Sequence, residues 1–165
     1  MATYNIDSHS KIPFFSGTVV SVYNYCNIDK VNGAPNGWFN DSGTVLCANV
    51  ADNAKPAELA VAPCFLPALF SGPYWVIDAG PAPSHYEWAI ISGGQPTVQY
   101  ADGCTTSETA TNGSGLWLFT RARVADSVLI DMMRGRLTAL GYTLQRLHPM
   151  QQAGCEYAGA YIKLP

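Results

Sequence analysis

Apolar and polar positions alternate along most of the chain, in short runs separated by turns that contain glycine, asparagine or proline. Runs of this kind, rich in β-branched and aromatic residues, are typical of β-strands. They predict seven strands, at residues 2–6, 18–26, 44–50, 58–62, 73–78, 86–92 and 116–121. Because the spacing is regular and hairpin-like, it favours an antiparallel meander over βαβ units. We therefore expect one all-β domain with a single helix over residues 1–165.

The one convincing helical pattern follows the last of these strands. Its apolar face is formed by residues at three- and four-residue spacing, namely Leu129, Met132, Met133, Leu137 and Leu140. Asp126 and Gly141 stand where an N-cap and a C-terminal glycine belong. These signals predict an amphipathic helix over residues 126–140. The alternation in residues 142–147 then predicts a short C-terminal strand, followed by a tail to residue 165.

Two of the predicted strands, 86–92 and 116–121, are apolar on both faces. Strands of this kind lie in parallel sheets or in barrel walls that a helix covers from outside. The second arrangement fits this chain, because the helix follows immediately. Two polar segments, 27–40 and 95–115, predict long loops without regular structure of their own. Loops of this length in compact domains are often functional.

The chain is poor in charge, with 13% charged residues beside 48% hydrophobic ones. Globular domains have about 25% charged residues, so apolar surface must be hidden on more faces than usual. The composition excludes intrinsic disorder, and a net charge of -3 argues against nucleic acid as a partner. All of the arginines lie between Arg121 and Arg146. They predict either a solvated basic face or one that docks onto an acidic surface.

The five cysteines are dispersed and form no C-x-x-C motif, so the sequence does not indicate a zinc site. In a weakly charged domain they favour one or two disulfides and an oxidising compartment, either extracellular, periplasmic or an organelle lumen. Buried free thiols are the alternative. The first residues do not resemble a signal peptide. Either a targeting region has been removed, or the protein is cytosolic.

Three local strings resemble the lipocalin family. Residues 64–77 (CFLPALFSGPYWVI) are similar to the passage between strands E and F of plant temperature-induced and bacterial outer-membrane lipocalins. Residues 116–121 (LWLFTR) resemble their strand H motif, which ends in an arginine, here Arg121. Residues 151–155 (QQAGC) resemble the C-terminal cysteine region of apolipoprotein D-like lipocalins and end at Cys155. The resemblance covers roughly residues 2–157, nearly the whole chain.

The resemblance implies an up-and-down antiparallel lipocalin β-barrel with the C-terminal helix packed outside it. Such a barrel binds a small hydrophobic molecule, which here would be a lipid, an isoprenoid or a pigment; no other cofactor is expected. Strand alternation and the family pattern give the candidate inward-facing residues Val20, Val22, Leu46, Leu59, Val61, Trp75, Trp88 and Trp117. The alternative is that these side chains fill a dry core or face the helix. Trp75 and Trp88 are the stronger ligand-binding candidates, because an aromatic side chain offers a large area with a polar group.

The resemblance also places residues 65–70 in a loop at the barrel mouth. The apolar residues of this loop are Phe65, Leu66, Leu69 and Phe70. Exposed apolar patches usually mark contacts with a membrane, a protein or a ligand, and the similar loop of temperature-induced lipocalins is associated with membrane attachment. We expect the loop to contact a membrane or a protein partner. The alternative is that it folds back and plugs the barrel.

The chain departs from the family pattern in three places. The G-x-W motif of the first lipocalin strand has no counterpart, so Arg121 lacks the tryptophan on which it packs in that family. We expect either upstream residues or another chain to supply the strand. The turn between Asp78 and Tyr86 is longer than in lipocalins, and residues 95–115 replace a shorter connection. Because Cys104 maps near the barrel mouth, a disulfide through it is expected to tether this loop.

Catalysis is not expected from the sequence. His9, His85 and His148 are scattered and form no arrangement of base and nucleophile. A few lipocalins are isomerases or de-epoxidases, for which Cys47 or Cys64 would be the candidates, but a structural thiol is favoured. Two functions remain: binding of a hydrophobic molecule, or a role as a structural or accessory subunit in a larger complex, membrane-bound or photosynthetic.

Overall fold

The computed structural model describes residues 4–6, 20–22, 46–63, 66–107, 115–122 and 124–149. Of residues 4–6, 20–22, 46–47 and 63 it describes the backbone alone. The strands in this part of the chain are β1 Tyr4–Ile6, β2 Val20–Val22, β3 Leu46–Val50, β4 Glu58–Pro63, β5 Gly72–Ala82, β6 His85–Ser92, β7 Val98–Tyr100, β8 Gly103–Thr105 and β9 Leu116–Thr120. The helical elements are a 3₁₀ turn at Ala68–Phe70 and helix α1 at Ser127–Ala139. The antiparallel strands and the single described helix confirm the prediction of an all-β fold with one helix.

The chain divides into two compact units. The first comprises residues 1–50, 61–71 and 149–165, and the second comprises residues 51–60 and 72–148. In the first unit β1 and β2 pair antiparallel, with Tyr4 opposite Val22 and Ile6 opposite Val20. The 3₁₀ turn also belongs to this unit. The second unit contains the helix and most of the described side chains.

In the second unit β6 is the central strand of an antiparallel trio, with β5 on one side and β9 on the other. Trp88 lies opposite Gly80 on β5 and opposite Thr120 on β9, whereas Ile91 lies opposite Val76 and Trp117. Since successive side chains of a strand point to opposite faces, these two rows belong to different faces of the sheet. We call them the helix-facing side, which includes Trp88 and Ile90, and the distal face, which includes Ile91 and Trp117.

Helix α1 packs on the helix-facing side. Its residues Met133 and Leu137 are fully buried and form one cluster with Trp88, Ile90 and Tyr142. Burial of an aliphatic side chain contributes about 1.5–3 kcal/mol, so this cluster fixes the helix on the sheet. The clustering of these residues confirms the predicted amphipathic helix.

Both ends of α1 are capped as the sequence predicts. The Asp126 carboxylate accepts a hydrogen bond from the backbone N–H of Val128 at 3.0 Å, which satisfies one of the free amides of the first turn. At the other end Gly141 has a φ of 83°, a conformation that glycine adopts without strain. Leu140, expected on the apolar face, is exposed because it lies beyond the last helical residue.

The segment 95–115, predicted to lack regular structure, contains the antiparallel hairpin β7–β8, in which Val98 lies opposite Thr105 and Tyr100 opposite Gly103. Asp102, at its turn, accepts hydrogen bonds from Thr143 Oγ1 at 2.8 Å and Gln145 Nε2 at 2.9 Å. The bond from Thr143 is the main reason that the pKa of Asp102 lies below its ordinary value. The hairpin is therefore tied to the chain after the helix. Residues 108–114 lie outside the described residues.

Instead of the predicted strand at 142–147, the structure has a single parallel bridge between Tyr142 and Cys104. In it the Cys104 N–H donates to the carbonyl of Gly141 and the Thr143 N–H donates to the carbonyl of Cys104, both at 2.9 Å. Thr143 Oγ1 then accepts from the backbone N–H of Gln145 at 3.2 Å. This bond turns the chain and ends the pairing.

Strand β5 is longer than predicted and continues through Gly80 and Pro81 to Ala82, so that the turn falls at residues 83–84. Gly80 lies opposite Trp88, and a β-carbon at Gly80 would come within 2.6 Å of the Trp88 ring. Gly80 therefore makes room for a buried tryptophan within a strand, although its sequence context resembles a turn. The predicted long turn after Asp78 is in fact a strand extension.

Candidate functional site

Three aromatic side chains meet on the distal face of the sheet. The ring centroid of Trp117 lies 6.3 Å from that of Tyr74 and 6.3 Å from that of Phe119. The ring planes differ by 26° in the first pair and by 8° in the second. Both distances fall in the range at which offset aromatic rings attract each other. We call Tyr74, Trp117 and Phe119 the aromatic row.

The strand register explains why these residues come together. Trp117 and Phe119 are two positions apart on β9, so both point to the distal face. Trp117 lies opposite Ile91 on β6, and Ile91 lies opposite Val76 on β5. Tyr74 stands two positions before Val76 and shares its face. The distal face is therefore a continuous apolar surface across three strands.

A glycine, Gly115, leaves space for the Trp117 ring at the centre of the row. Gly93 donates its backbone N–H to the carbonyl of Gly115 at 2.8 Å, and Thr106 Oγ1 donates to the same carbonyl at 2.9 Å. Gly115 has a φ of 104°, and the Trp117 indole occupies the space that a side chain at Gly115 would need. The glycine thus fixes where the indole can lie.

The row is half-buried, and its polar group is desolvated. Tyr74, Trp117 and Phe119 are each partly exposed, whereas Ile91 on β6, between β5 and β9, is buried. Burial raises the pKa of Tyr74 to about 12, because a phenolate would be poorly solvated there. Among the described residues the Tyr74 hydroxyl has no hydrogen-bond partner. The phenol is therefore neutral at physiological pH.

The structure places the predicted ligand-facing residues on different faces. Trp117 belongs to the aromatic row, but Trp88 lies in the cluster under the helix. The Arg136 guanidinium carbon stands 5.1 Å above the centroid of the Trp88 ring. Trp75 lies opposite Ser92, in the register of the helix-facing side.

The remaining predicted ligand-facing residues lie on β2, β3 and β4. Leu59 and Val61 are half-buried on β4. The side chains of Val20, Val22 and Leu46 are outside the described part of the structure. Neither Tyr74 nor Phe119 was predicted. Once Trp117 is assigned to the distal face, the alternation of β9 assigns Phe119 to the same face. The assignment of Tyr74 to that face requires knowledge of how β5, β6 and β9 pair.

The apolar loop of the first unit exposes two of its large side chains. Leu69 is 86% exposed and Phe70 is 57% exposed, while Leu66 is half-buried. Leu69 and Phe70 stand on the 3₁₀ turn, in which the Phe70 N–H donates to the carbonyl of Pro67 at 3.0 Å. Phe65 lies outside the described residues. The two exposed side chains form an apolar tip.

Two arginines of the basic segment are committed to structural contacts. Arg121 donates from Nε to the carbonyl of Tyr86, and its backbone N–H donates to the carbonyl of Glu87 at 2.9 Å. Arg136 forms an ion pair with Asp78 while it covers Trp88. The basic face predicted from the sequence is therefore partly used to hold the helix and the β5–β6 turn.

Of the cysteines, Cys104 is described fully and is a free, half-buried thiol, so the disulfide predicted through it is not formed. Only the backbone of Cys47 is described, and Cys26, Cys64 and Cys155 lie outside the described residues. Within the described ranges no three His, Cys, Asp or Glu side chains come together to hold a metal ion. His85 pairs with Glu87 on β6, and His9 lies outside these ranges.

No helix in the described part of the chain has both the length and the apolar character that crossing a membrane requires. No protein-family model matches the chain, and neither a curated protein nor a solved structure matches it significantly. The assignment to the lipocalin family therefore stays a prediction from the sequence.

Proposed function

We propose that this chain is a lipocalin-like binding protein for a small hydrophobic molecule, and that the aromatic row forms part of the binding surface. The observation that carries the proposal is the row itself, three nearly parallel rings on a half-buried apolar face. Sites for small apolar molecules are lined mainly by hydrophobic and aromatic side chains, with few polar groups. The distal face has this composition.

The contrast between the two sides of the sheet supports this choice of surface. On the helix-facing side Ile90, Met133 and Leu137 are fully buried against one another, and that side is filled by the protein itself. In a lipocalin barrel the helix packs outside and the opposite face of the wall lines the ligand cavity. The aromatic row lies opposite the helix, where this architecture would hold its ligand.

The test is a fluorescence titration with the polyene fatty acid cis-parinaric acid, which brightens in apolar sites. We expect saturable binding by the natural chain. Trp117→Ala should weaken it at least tenfold, about 1.4 kcal/mol, because it removes the central ring of the row. The matched control is Leu140→Ala, which changes an exposed side chain on the opposite side of the unit. Lack of saturable binding, or equal affinity in Trp117→Ala, would contradict the proposal.

A second function, docking on a lipid surface, is favoured by the exposed tip of the 3₁₀ turn. Leu69 and Phe70 are next to each other and largely exposed, and exposed apolar side chains at a loop tip are expected at contacts with lipid or protein. We propose that this tip inserts into the interfacial region of a bilayer. Insertion would move both side chains out of water without unfolding the turn.

Vesicle flotation tests this proposal. We expect the natural chain to float with phosphatidylcholine vesicles, and the double variant Leu69→Ser/Phe70→Ser to lose at least tenfold in partition coefficient, since each apolar side chain contributes about 1.5–3 kcal/mol when buried. The control is Val124→Ser/Val128→Ser, which removes two apolar side chains that are each 72% exposed in the other unit. Equal losses in both variants, or no flotation of the natural chain, would show that the tip does not dock on lipid. Absence of flotation together with a stable complex with another protein would favour the accessory-subunit role instead.

A further inference from the structure

We infer that the apolar tip formed by Leu69 and Phe70 recognises an uncharged, loosely packed lipid surface, whose exposed acyl chains it contacts without electrostatic attraction to anionic headgroups. The inference rests on the second proposed function, docking on lipid, and specifies the kind of lipid surface. The exposure of the turn, its size and its charge each contribute to the argument.

The 3₁₀ turn presents only apolar side chains to its surroundings. Leu69 is 86% exposed and Phe70 is 57% exposed, and Pro67 and Ala68 before them are exposed as well. The N–H of Phe70 donates to the carbonyl of Pro67 and the N–H of Ser71 to that of Ala68, both at 3.0 Å. Pro67 has no N–H. These backbone donors therefore keep their partners when the tip leaves water, which limits the cost of insertion.

The size of the tip favours lipid over a protein partner. Its exposed apolar residues are four consecutive ones, 67–70. A stable protein–protein interface takes about 20–30 residues from each side, so four residues are too few to hold a protein by themselves. An apolar surface that docks on lipid sinks only about 5–10 Å into the boundary between headgroups and acyl chains. A short turn with two large apolar side chains suits this shallow insertion.

The charges of the chain argue against recognition of anionic lipid. Residues 59–77 contain no charged residue, and the charged residues that flank them, Glu58 and Asp78, are both acidic. The unit that includes the tip has three lysines, four acidic residues and no arginine in its sequence, which gives a net charge of -1. Attraction to anionic headgroups requires an excess of lysine or arginine near the membrane surface. Burial of apolar side chains is therefore the force that drives docking.

Docking of this kind depends on how the lipids are packed. Association by apolar burial is sensitive to membrane curvature and lipid composition. In a tightly packed bilayer the headgroups must be pushed apart before Leu69 and Phe70 reach the acyl chains, and no attraction between charges offsets this cost. In a strongly curved or highly unsaturated bilayer the acyl chains are already accessible. We therefore expect the tip to select the loosely packed surface.

Vesicle flotation of the full chain tests the inference. Small sonicated vesicles of dioleoylphosphatidylcholine provide the loosely packed surface, and large extruded vesicles of palmitoyl-oleoylphosphatidylcholine with cholesterol provide the tightly packed one. We expect the partition coefficient to be at least about fivefold higher on the loosely packed vesicles. Addition of phosphatidylserine should not raise it, and a change from low to high salt should alter it by less than about twofold. Leu69→Ser/Phe70→Ser should lose the preference.

Ala68→Lys is the matched control for charge. Ala68 is exposed on the same turn, so the substitution adds one positive charge and retains the side chains of Leu69 and Phe70. It should raise partitioning onto vesicles with phosphatidylserine by about fivefold at low salt. High salt should remove this gain, because exposed charges are then screened. The natural chain should show neither effect.

The other outcomes separate the inference from the docking function on which it rests. If the natural chain floats equally with both kinds of vesicle, docking stands and the preference for loose packing is wrong. If phosphatidylserine raises its flotation and salt abolishes the increase, docking stands but the tip does not act without charge. If the double serine variant keeps the preference, another part of the chain selects the lipid. If the natural chain floats with no vesicle, the proposed docking itself fails.

Discussion

Replacement of Leu137 by alanine is expected to lower the free energy of unfolding of the helix-bearing unit by about 2–5 kcal/mol. The side chain is fully buried and packs in one cluster with Trp88, Ile90 and Met133. Its removal takes away apolar contacts and leaves a cavity that the surrounding sheet cannot close. The backbone contributes as well, since the carbonyl of Leu137 accepts a hydrogen bond from the Tyr142 N–H at 3.0 Å. The measurement is urea unfolding followed by circular dichroism.

The control for this variant is Leu140→Ala. The two leucines stand three residues apart, but Leu140 is the residue that follows α1 and is 60% exposed. Its truncation should change stability by less than about 0.5 kcal/mol. Equal losses in the two variants would mean that the helix is stabilised by its own residues and not by the sheet beneath it.

Gly115→Ala is expected to destabilise the same unit by about 2–4 kcal/mol and to weaken binding of cis-parinaric acid. The backbone at Gly115 has a φ of 104°, which is strained for alanine. A β-carbon there would also overlap with the Trp117 indole. To relieve the overlap the ring must move away from its place between Tyr74 and Phe119, so one methyl group should disturb both stability and the site.

Gly135→Ala is the matched control, because a β-carbon at that position of α1 meets no atom within 4 Å. Alanine is about 1 kcal/mol better than glycine inside a helix, so this variant should be more stable and should bind the probe normally. If Gly115→Ala is as stable as the natural chain, the indole must have another position to occupy. The glycine would then not determine the geometry of the row.

Most elements of the fold could be predicted from the sequence. Seven of the eight predicted strands overlap observed ones, the exception being residues 142–147, and the helix lies within one residue of its predicted ends. The strands and the helix have strong periodicity, and the helix also has clear capping residues. Both signals depend on residues that are close in the sequence, so they can be recognised without the tertiary structure. The β7–β8 hairpin was missed because polar composition suggested a loop. The Asp102–Gly103 pair, where the turn meets β8, resembles a common hairpin signal and could have identified it.

The site was harder to predict, because alternation shows which residues share a face but not which face the helix covers. Trp88 and Trp117 are equally apolar in sequence, yet one lies under the helix and the other belongs to the aromatic row.

Strand β5 adds a second difficulty. Its register shifts between Val76 and Asp78, so Asp78 falls in the register of the helix-facing side and Ala79 in that of the distal face. Strict alternation from Tyr74 would assign them the other way round.

The division of the three strands into a filled side and an aromatic side has an evolutionary consequence. If the distal face binds a ligand as proposed, substitutions there, for example at Ala89, would alter ligand affinity and leave the packing of Ile90 under the helix unchanged. Neighbouring codons of one strand would then be under separate selection, one set for folding and the other for affinity.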